Sequence, residues 1–380
     1  MTGKNTYASE IAFLSKNTEI VELAAGDARV AVAPEYQGRV MTSTLAGAAG
    51  AGFGWINTKF INAGKDDPVF NNYGGEDRFW LGPEAGQFAL WFKKGEPFDL
   101  AHWKTPPGFN GGRFLIVSQS ATSVAMSQSF EVTNYAGTNF KCDVLRTIST
   151  LGVRKAGELF DLPVPEGVKL VGFESVNVLK NAGDKPWTRD GGLVSIWILG
   201  MFKPLSRGKV IVPFKAGSET ELGPRATTDY FGHLPAERCR VTDDHLFLVC
   251  DGKFRSKIGI SPARATDVLG SYDPVREALT IVQFNLPASA PELPYVNSLW
   301  QFQARPFAGD VVNSYNDGEP EPGAAQLGPF YEIETSSPAA ALEPGQSITH
   351  IHRTFHITDS FETMNEMAAK VLGTELAKID

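Results

Sequence analysis

The sequence contains little cysteine, with Cys142, Cys239 and Cys250 as the only thiols among 380 residues. The count is odd, and no two of them have the C-x-x-C spacing of a metal site, so neither a disulfide framework nor a zinc site is indicated. Cys239 and Cys250 flank a predicted hairpin and could face each other. Ordinary half-buried thiols are the simpler interpretation.

An excess of positive charge and a long apolar segment are also missing. Lys and Arg number 35 against 43 Asp and Glu, which gives a net charge of −8 without any basic run. Nucleic-acid affinity depends on clustered Lys and Arg, so we expect no nucleic-acid partner. The longest apolar run, residues 193–202, is about half of the ~20 residues that a membrane helix needs. This run therefore predicts a buried strand. Because it is too short to span a bilayer as a helix, we expect no membrane partner.

The first sixteen residues lack the unbroken apolar segment and small-residue cleavage site of a secretory signal. The sequence as written therefore predicts a cytoplasmic protein. A periplasmic or secreted location follows instead if a leader has been removed.

Short β-rich runs separated by turn residues make up most of the chain, which is typical of an all-β sandwich. The hydrophobic fraction of 42% is enough for a substantial core. Asp243-Asp244 and Asp251-Gly252-Lys253 predict tight turns in a meander over residues 238–260. The clearest predicted strands are residues 29–33, 39–45, 113–118, 123–132, 142–150, 170–179 and 193–199.

Helical periodicity is confined to the two ends of the chain. Apolar residues between Phe361 and Leu372 recur at helical spacing, and a shorter helix is predicted over residues 8–15. Gly and Pro are scattered and no repeat is found, so we predict a single domain over residues 1–380. Residues 1–18 would form an N-terminal extension, and residues 358–380 a C-terminal helix.

Residues 71–91 combine charged, amide and tryptophan side chains between glycines. A sugar needs planar polar partners for its hydroxyls and aromatic rings for its C–H faces, and this segment offers both kinds. The alternative is a structural ion pair of Arg78 beside core tryptophans. The predicted substrate-binding residues here are Glu76, Asp77, Arg78, Trp80, Glu84 and Gln87, with Trp103 as a second stacking platform.

A second polar segment spans residues 313–318 and continues in a strand at residues 330–336. Asn316 and Asp317 are predicted to hold ring hydroxyls. Glu332 and Glu334 share one face of that strand, because side chains alternate along a strand. If this face is desolvated, one carboxyl pKa rises and a general acid or base results. A solvated sheet face is the alternative.

Half of the six histidines lie in one strand, at positions 350, 352 and 356. His350 and His352 share a face at a spacing that can ligate a metal. The carboxylate that usually follows such a pair in a cupin-like site is missing, so a polar strand face is the preferred interpretation. We predict no metal and no cofactor.

The last third of the chain resembles the galactose mutarotases and other aldose 1-epimerase-like proteins. The resemblance rests on Ile333-Glu334-Thr335, Pro338 and Leu342-Glu343-Pro344-Gly345, followed by a final strand. Over most of the chain, GGEDRFWLGPE, NSYNDG and FYEIETSSPA look like an uncharacterised bacterial family of the same fold. The resemblance implies an all-β, galactose mutarotase-like β-supersandwich with a C-terminal amphipathic helix.

The resemblance also implies that Glu334 is the catalytic base, with Glu332 as the fallback. The acid histidine of these proteins has no counterpart in the compared strand, residues 173–179. Mutarotation needs an acid for the ring oxygen as well as a base for the anomeric hydroxyl. His350, His352 and His102 are therefore the candidate acids.

The sequence leads to a carbohydrate-binding protein whose ligand is a sugar or a sugar-derived small molecule. An aldose 1-epimerase-like isomerase is one form of this hypothesis, and a non-catalytic carbohydrate-recognition protein is its rival. A lyase or hydrolase acting on acidic saccharides is a third possibility, because Arg78 could hold a uronate. All three require the distant stretches that contain Arg78, Asn316 and Glu334 to meet in one groove, and would fail if these residues lay on separate surfaces. The oligomeric state is not indicated.

Overall fold

The computed structural model describes residues 6–165 and 167–379, and strands dominate it. Alternating apolar residues and turn-forming Gly, Pro and Asp residues explain this content. The strands are β1 (Val21–Ala25), β2 (Ala28–Ala33), β3 (Arg39–Thr44), β4 (Arg78–Gly82), β5 (Leu115–Gln119), β6 (Ser123–Thr133), β7 (Asn139–Leu151), β8 (Lys169–Asn181), β9 (Ser195–Phe202), β10 (Lys209–Pro213), β11 (Cys239–Val241), β12 (His245–Val249), β13 (Ser256–Ile260), β14 (Val268–Asp273), β15 (Ala278–Phe284), β16 (Val312–Asn316), β17 (Tyr331–Ser336) and β18 (Ser347–Thr358).

Helices are short except at the C-terminus, where the predicted amphipathic helix is present. Its Met364, Met367 and Ala368 are buried, and the Ser360 side chain caps its first turn. None of the helices in the described part of the chain is long and apolar enough to cross a membrane. The helices are α1 (Tyr7–Leu14), α2 (Thr58–Ala63), α3 (Pro107–Asn110), α4 (Val153–Phe160), α5 (Glu219–Leu222) and α6 (Phe361–Val371).

The described residues form three antiparallel sheets. The first has the order β1-β2-β3, the second the order β11-β12-β10-β14-β15-β18-β8-β7-β6-β5, and the third the order β13-β16-β17-β9-β4. Apolar residues of the ten-stranded and five-stranded sheets share one core cluster, which includes Val282 and Leu269 from one and Ile258 and Ile333 from the other. The two sheets therefore stack face to face, and the second face of the five-stranded sheet is free to form a site.

The predicted meander over residues 238–260 is wrong in its last step. β11 pairs with β12, but β13 pairs with β16 in the other sheet. At the turn, Arg238 binds Asp251 through two nitrogens at 2.8 Å each, and the Gly252 amide donates to Asn316 Oδ1 at 2.8 Å. Gly252 has a φ of 67°, which glycine adopts without strain. These contacts carry the chain from one sheet to the other.

A buried ion pair ties the β4 strand to the ten-stranded sheet. Arg146 on β7 binds Asp77, whose second oxygen accepts the Ser175 hydroxyl at 2.7 Å. Arg146 also donates to Asn177 Oδ1 at 2.6 Å and to the Gly38 carbonyl at 3.0 Å. Both charged side chains are fully buried. The network fixes the start of β4, so it sets where the next residue, Arg78, projects.

We predict that Asp77→Asn lowers the free energy of unfolding by about 3–5 kcal/mol, because it leaves the Arg146 charge buried and unpaired. Urea unfolding followed by tryptophan fluorescence measures this loss. Asp190→Asn, at an exposed position, is the matched control and should change stability little. Equal stabilities of the two variants would contradict the prediction.

Candidate functional site

A cavity of about 510 Å³ opens on the free face of the five-stranded sheet. Its size is within the range of about 300–1,000 Å³ that is usual for small-molecule sites. Antiparallel register places alternate residues of all five strands on this face. The strand residues that line the cavity are Arg78 and Trp80 of β4, Trp197, Leu199 and Met201 of β9, Glu332 of β17, Tyr315 of β16 and Lys257 of β13.

Two ion pairs lie side by side at the floor of this pocket. Arg78 Nη2 is 3.0 Å from Glu332 Oε1, and Lys257 Nζ is 2.9 Å from Glu334 Oε2. All four side chains are less than one-tenth exposed. Because unpaired charges are costly to bury, each carboxylate needs its cation here.

The two glutamates differ in how they meet the cavity. Glu332 lines it, whereas Glu334 is fully buried and does not. Glu334 Oε2 accepts hydrogen bonds from Lys257 Nζ and from Trp197 Nε1, both at 2.9 Å. Its other oxygen, Oε1, is buried without a partner. Lys257 and Trp197, which do line the cavity, thus stand between Glu334 and most of the open volume.

The environment also shifts the pKa values of the floor residues. Burial raises the pKa of Glu332 to about 7, with the nearby Glu334 charge adding to the rise and Arg78 opposing it. Burial lowers the pKa of Arg78, although the Glu332 and Glu334 charges oppose the shift. The pKa of Lys257 is raised, because its carboxylate neighbours outweigh its burial. Glu332 therefore exchanges a proton near neutral pH.

Aromatic rings form the wall next to the Arg78 side of the floor. The Arg78 guanidinium lies 3.8 Å from the centroid of Trp80, a cation–π contact. Trp103 Nε1 donates to Glu84 Oε1 at 2.7 Å, which holds the Trp103 ring at the cavity. Trp300 and Phe70 line the same cavity. Sugar C–H faces can stack on such rings.

A third carboxylate closes the opposite side. Asp317 lines the cavity and accepts the Tyr315 hydroxyl at 2.6 Å and the Gly328 amide at 2.8 Å. Burial raises the pKa of Asp317. Arg255 also lines the cavity and stacks on Phe231 at 3.7 Å.

The structure brings together six of the predicted site residues as cavity lining, and it places Glu334 directly behind them. The six are Arg78, Trp80, Glu84, Trp103, Asp317 and Glu332. The three stretches that were expected to meet do so, through Arg78, Asp317 and Glu332, whereas Glu334 lies buried behind the lining. Asn316 does not line the cavity, because its side chain is on the opposite face of β16, where it donates to the Phe254 carbonyl at 2.8 Å.

Three other predicted binding residues lie outside the cavity lining. Glu76 accepts the Ser43 hydroxyl at 2.8 Å and contacts His356 Nε2 at 3.0 Å in the interior. Asp77 is held by Arg146. Gln87 forms two hydrogen bonds with the backbone of Gln303, which join two loops. These side chains support the fold around the site, and none of the three faces the pocket.

None of the three histidines proposed as acids lines the pocket. His350 Nε2 and His352 Nδ1 both bond to Thr335 Oγ1, at 2.8 and 2.9 Å. Thr335 is on the opposite face of β17 from Glu334. Burial lowers the pKa of His350 to about 3 and that of His352 to about 4, so both rings are neutral at pH 7. His102 is exposed on a loop and pairs with Asp99.

The strand compared above with the acid-histidine pattern is not adjacent to Glu334. Residues 173–179 belong to β8 in the ten-stranded sheet, whereas the β17 strand pairs with β9 and β16. The cavity-facing residues of β9 are Trp197, Leu199 and Met201, so no histidine faces the pocket from there either. Within the described residues, no group of three or more His, Cys, Asp or Glu is placed to hold a metal ion.

Sequence reasoning missed several residues that shape the site. Lys257 is the most important, since it neutralises Glu334, and a single lysine within an apolar strand is the only local signal for it. Trp197 lies in the apolar run that predicted a buried strand, and nothing in that run distinguishes its two faces. Tyr315, Arg255 and Trp300 also line the cavity.

Two bacterial proteins of solved structure have a similar fold. One is an Escherichia coli K12 protein described as a "Putative aldose 1-epimerase", with 12% identity and a TM-score of 0.51 over 89% of this chain and 98% of that one. Another is the Slr1438 protein of Synechocystis sp. PCC 6803, with 12% identity and a TM-score of 0.50 over 90% of this chain and 96% of that one. These likenesses confirm the galactose mutarotase-like β-sandwich fold.

No curated protein matches the chain. One family profile does match, over residues 5–380, and its description is "Family of unknown function (DUF6786)". The match covers nearly all of the sequence, so it applies to the pocket as well as to the sheets.

The buried histidine pair predicts a loss of stability in mild acid. The pKa of a histidine in the unfolded chain is about 6.5. When the pKa in the folded protein is lower than this, the group stabilises the fold fully at pH values above about 6.5. This stabilisation is lost as the pH falls toward the pKa of the folded state. His350 and His352 have pKa values of about 3 and about 4 in the folded protein. The free energy of unfolding should therefore be lower at pH 5 than at pH 7 by about 2 kcal/mol for each histidine. Urea unfolding at pH 7 and pH 5 measures it.

His350→Gln should reduce this pH dependence, because one of the two groups no longer titrates. His102→Gln, at the exposed histidine, is the control and should keep the full dependence. The interpretation would be wrong if the His350 variant lost as much stability between pH 7 and pH 5 as the parent protein.

Proposed function

The chain belongs to the DUF6786 family of unknown function, and from the geometry of its pocket we propose that it binds the ring of a carbohydrate. The observation that carries the proposal is the Arg78–Glu332 pair at the floor of a cavity that the half-buried Trp103 ring also lines. Charged planar groups bind vicinal hydroxyls, and an adjacent aromatic face accepts the C–H face of the same ring.

The fold and its neighbours support the same class of ligand. The Escherichia coli protein of similar fold is described as a "Putative aldose 1-epimerase", and an aldose is a sugar. Because the sequence identity is 12%, this likeness supports the proposal through the shared fold alone. Glu84, Trp103 and Asp317 extend the polar and aromatic contacts around the floor.

Trp103→Ala should weaken monosaccharide binding about tenfold, which corresponds to about 1.4 kcal/mol, because a stacking face at the cavity is lost. Titration calorimetry with glucose, galactose and a panel of other monosaccharides measures the effect. Phe302→Ala is the matched control, since this ring is 66% exposed and does not line the cavity. Absence of binding across the whole panel would refute the proposal.

A second candidate function is aldose 1-epimerase-like isomerisation, favoured by two carboxyl groups of different character on one strand. Glu334 keeps one oxygen free of partners while Lys257 and Trp197 hold the other, which suits a base. Glu332 lines the cavity and has a pKa of about 7, which suits an acid at neutral pH.

In this mechanism, Lys257 and Trp197 must move aside when the sugar binds, because Glu334 is buried behind them. Glu334 Oε1 then accepts the proton of the anomeric hydroxyl while Glu332 donates its proton to the ring oxygen. The bond between the anomeric carbon and the ring oxygen breaks, and the open aldehyde forms. Reclosure on the other face of the carbonyl reverses both proton transfers and gives the other anomer. Glu332 thereby acts as the general acid, the role for which the compared strand of this sequence has no histidine.

Glu334→Gln should abolish accelerated mutarotation at nearly constant side-chain volume, because the proton acceptor is removed. Polarimetry of freshly dissolved α-glucose and α-galactose measures the rate. In the parent protein the rate should fall as pH rises through about 7, since Glu332 then loses the proton it donates. Turnover retained by the Glu334 variant would overturn the assignment of the base.

Unaccelerated mutarotation together with measurable sugar binding would instead favour the non-catalytic carbohydrate-recognition protein. The lyase or hydrolase hypothesis gains no support from the geometry. Arg78, which would hold a uronate, is already paired with Glu332. Product analysis on acidic polysaccharides would test it directly.

A further inference from the structure

The mouth of the pocket differs sharply in character from its floor. Large apolar side chains with substantial exposure line the cavity there, from four separate segments of the chain. They are Val69 at 44%, Leu100 at 49%, Phe231 at 39% and Leu327 at 49% exposed. We call these four residues the apolar rim.

The apolar rim is unusual for a site that takes only a hydrophilic ring. Single exposed apolar residues are normal on a protein surface, but several that converge on one opening mark a binding surface. Each keeps between 39% and 49% of its surface in water, and contact with an apolar group would remove this apolar surface from water, which is favourable. The Phe231 ring is held in place by Arg255, at 3.7 Å from its centroid.

The rim is continuous with the polar floor, since both line the same cavity. A ligand seated on Arg78 and Glu332 would therefore direct its far end between the rim residues. That end must be apolar to match them.

We propose that the ligand is a sugar carrying an apolar aglycone, an aryl or alkyl glycoside, whose sugar ring lies on the floor and whose aglycone lies between the residues of the apolar rim. The inference rests on the proposed carbohydrate binding and specifies the class of carbohydrate. A glycoside has no free anomeric hydroxyl to deprotonate, so the inference belongs with the binding function and not with the isomerisation. Trp300, which also lines the cavity, offers a further ring for the aglycone.

The test compares methyl and phenyl β-glycosides of glucose and of galactose by titration calorimetry. The phenyl glycoside should bind about tenfold more tightly than the methyl glycoside of the same sugar. In the double variant Leu100→Ser/Leu327→Ser this ratio should fall toward one. Leu115→Ser is the matched control, because Leu115 is 63% exposed on β5 and does not line the cavity, and it should leave the ratio unchanged.

Equal affinities for the methyl and phenyl glycosides would overturn the inference and leave carbohydrate binding intact. Binding of neither would refute the proposed function, and the inference with it. Phenol alone should not compete with the methyl glycoside, and competition by phenol at similar concentration would also count against a joint site. A concentration-dependent dimer that the double variant abolishes would assign the rim to a second copy of this chain and contradict the proposal.

Discussion

The stacking of the five-stranded sheet on the ten-stranded sheet is the constraint on which the site depends. Side chains alternate along a strand, so burying Ile333 and Thr335 against the ten-stranded sheet forces Glu332 and Glu334 to the opposite face. A slip of one residue in the register of β17 would exchange these two sets. The apolar core thus holds two carboxyl groups side by side on the free face.

Desolvation on that face determines the remaining chemistry. Two buried carboxylates repel each other, and each is neutralised by a cation from a different strand, Arg78 from β4 and Lys257 from β13. The pairing is unequal, because Trp197 also bonds to Glu334. One site therefore contains a carboxylate held by two donors and a carboxyl that titrates near neutral pH, a division that suits proton transfer.

The polar residues of the interior show that burial of charge is not by itself a sign of function. Glu76, Asp77 and Arg146 are as deeply buried as Glu334, yet their partners join sheets to one another. Accessibility to the cavity is what separates Arg78 from Asp77, its neighbour in sequence. Asp77 immediately precedes β4, and alternation of side chains along this extended backbone sends Arg78 toward the pocket and Asp77 toward the ten-stranded sheet.

The sequence by itself determined the strands, the C-terminal helix and the glutamate pair on one strand face, because alternation and helical spacing are local properties of the chain. It also indicated Arg78, Trp80, Glu84, Trp103 and Asp317, which cluster near glycines and turns. Only the tertiary structure decided which polar side chains lie outside the pocket lining, namely Glu76, Gln87, Asn316, His350 and His352. Only the tertiary structure showed that Lys257 and Trp197 belong to the site. The physical reason is that the pocket joins strands far apart in sequence, and which face of each strand is buried depends on the sheet that packs against it.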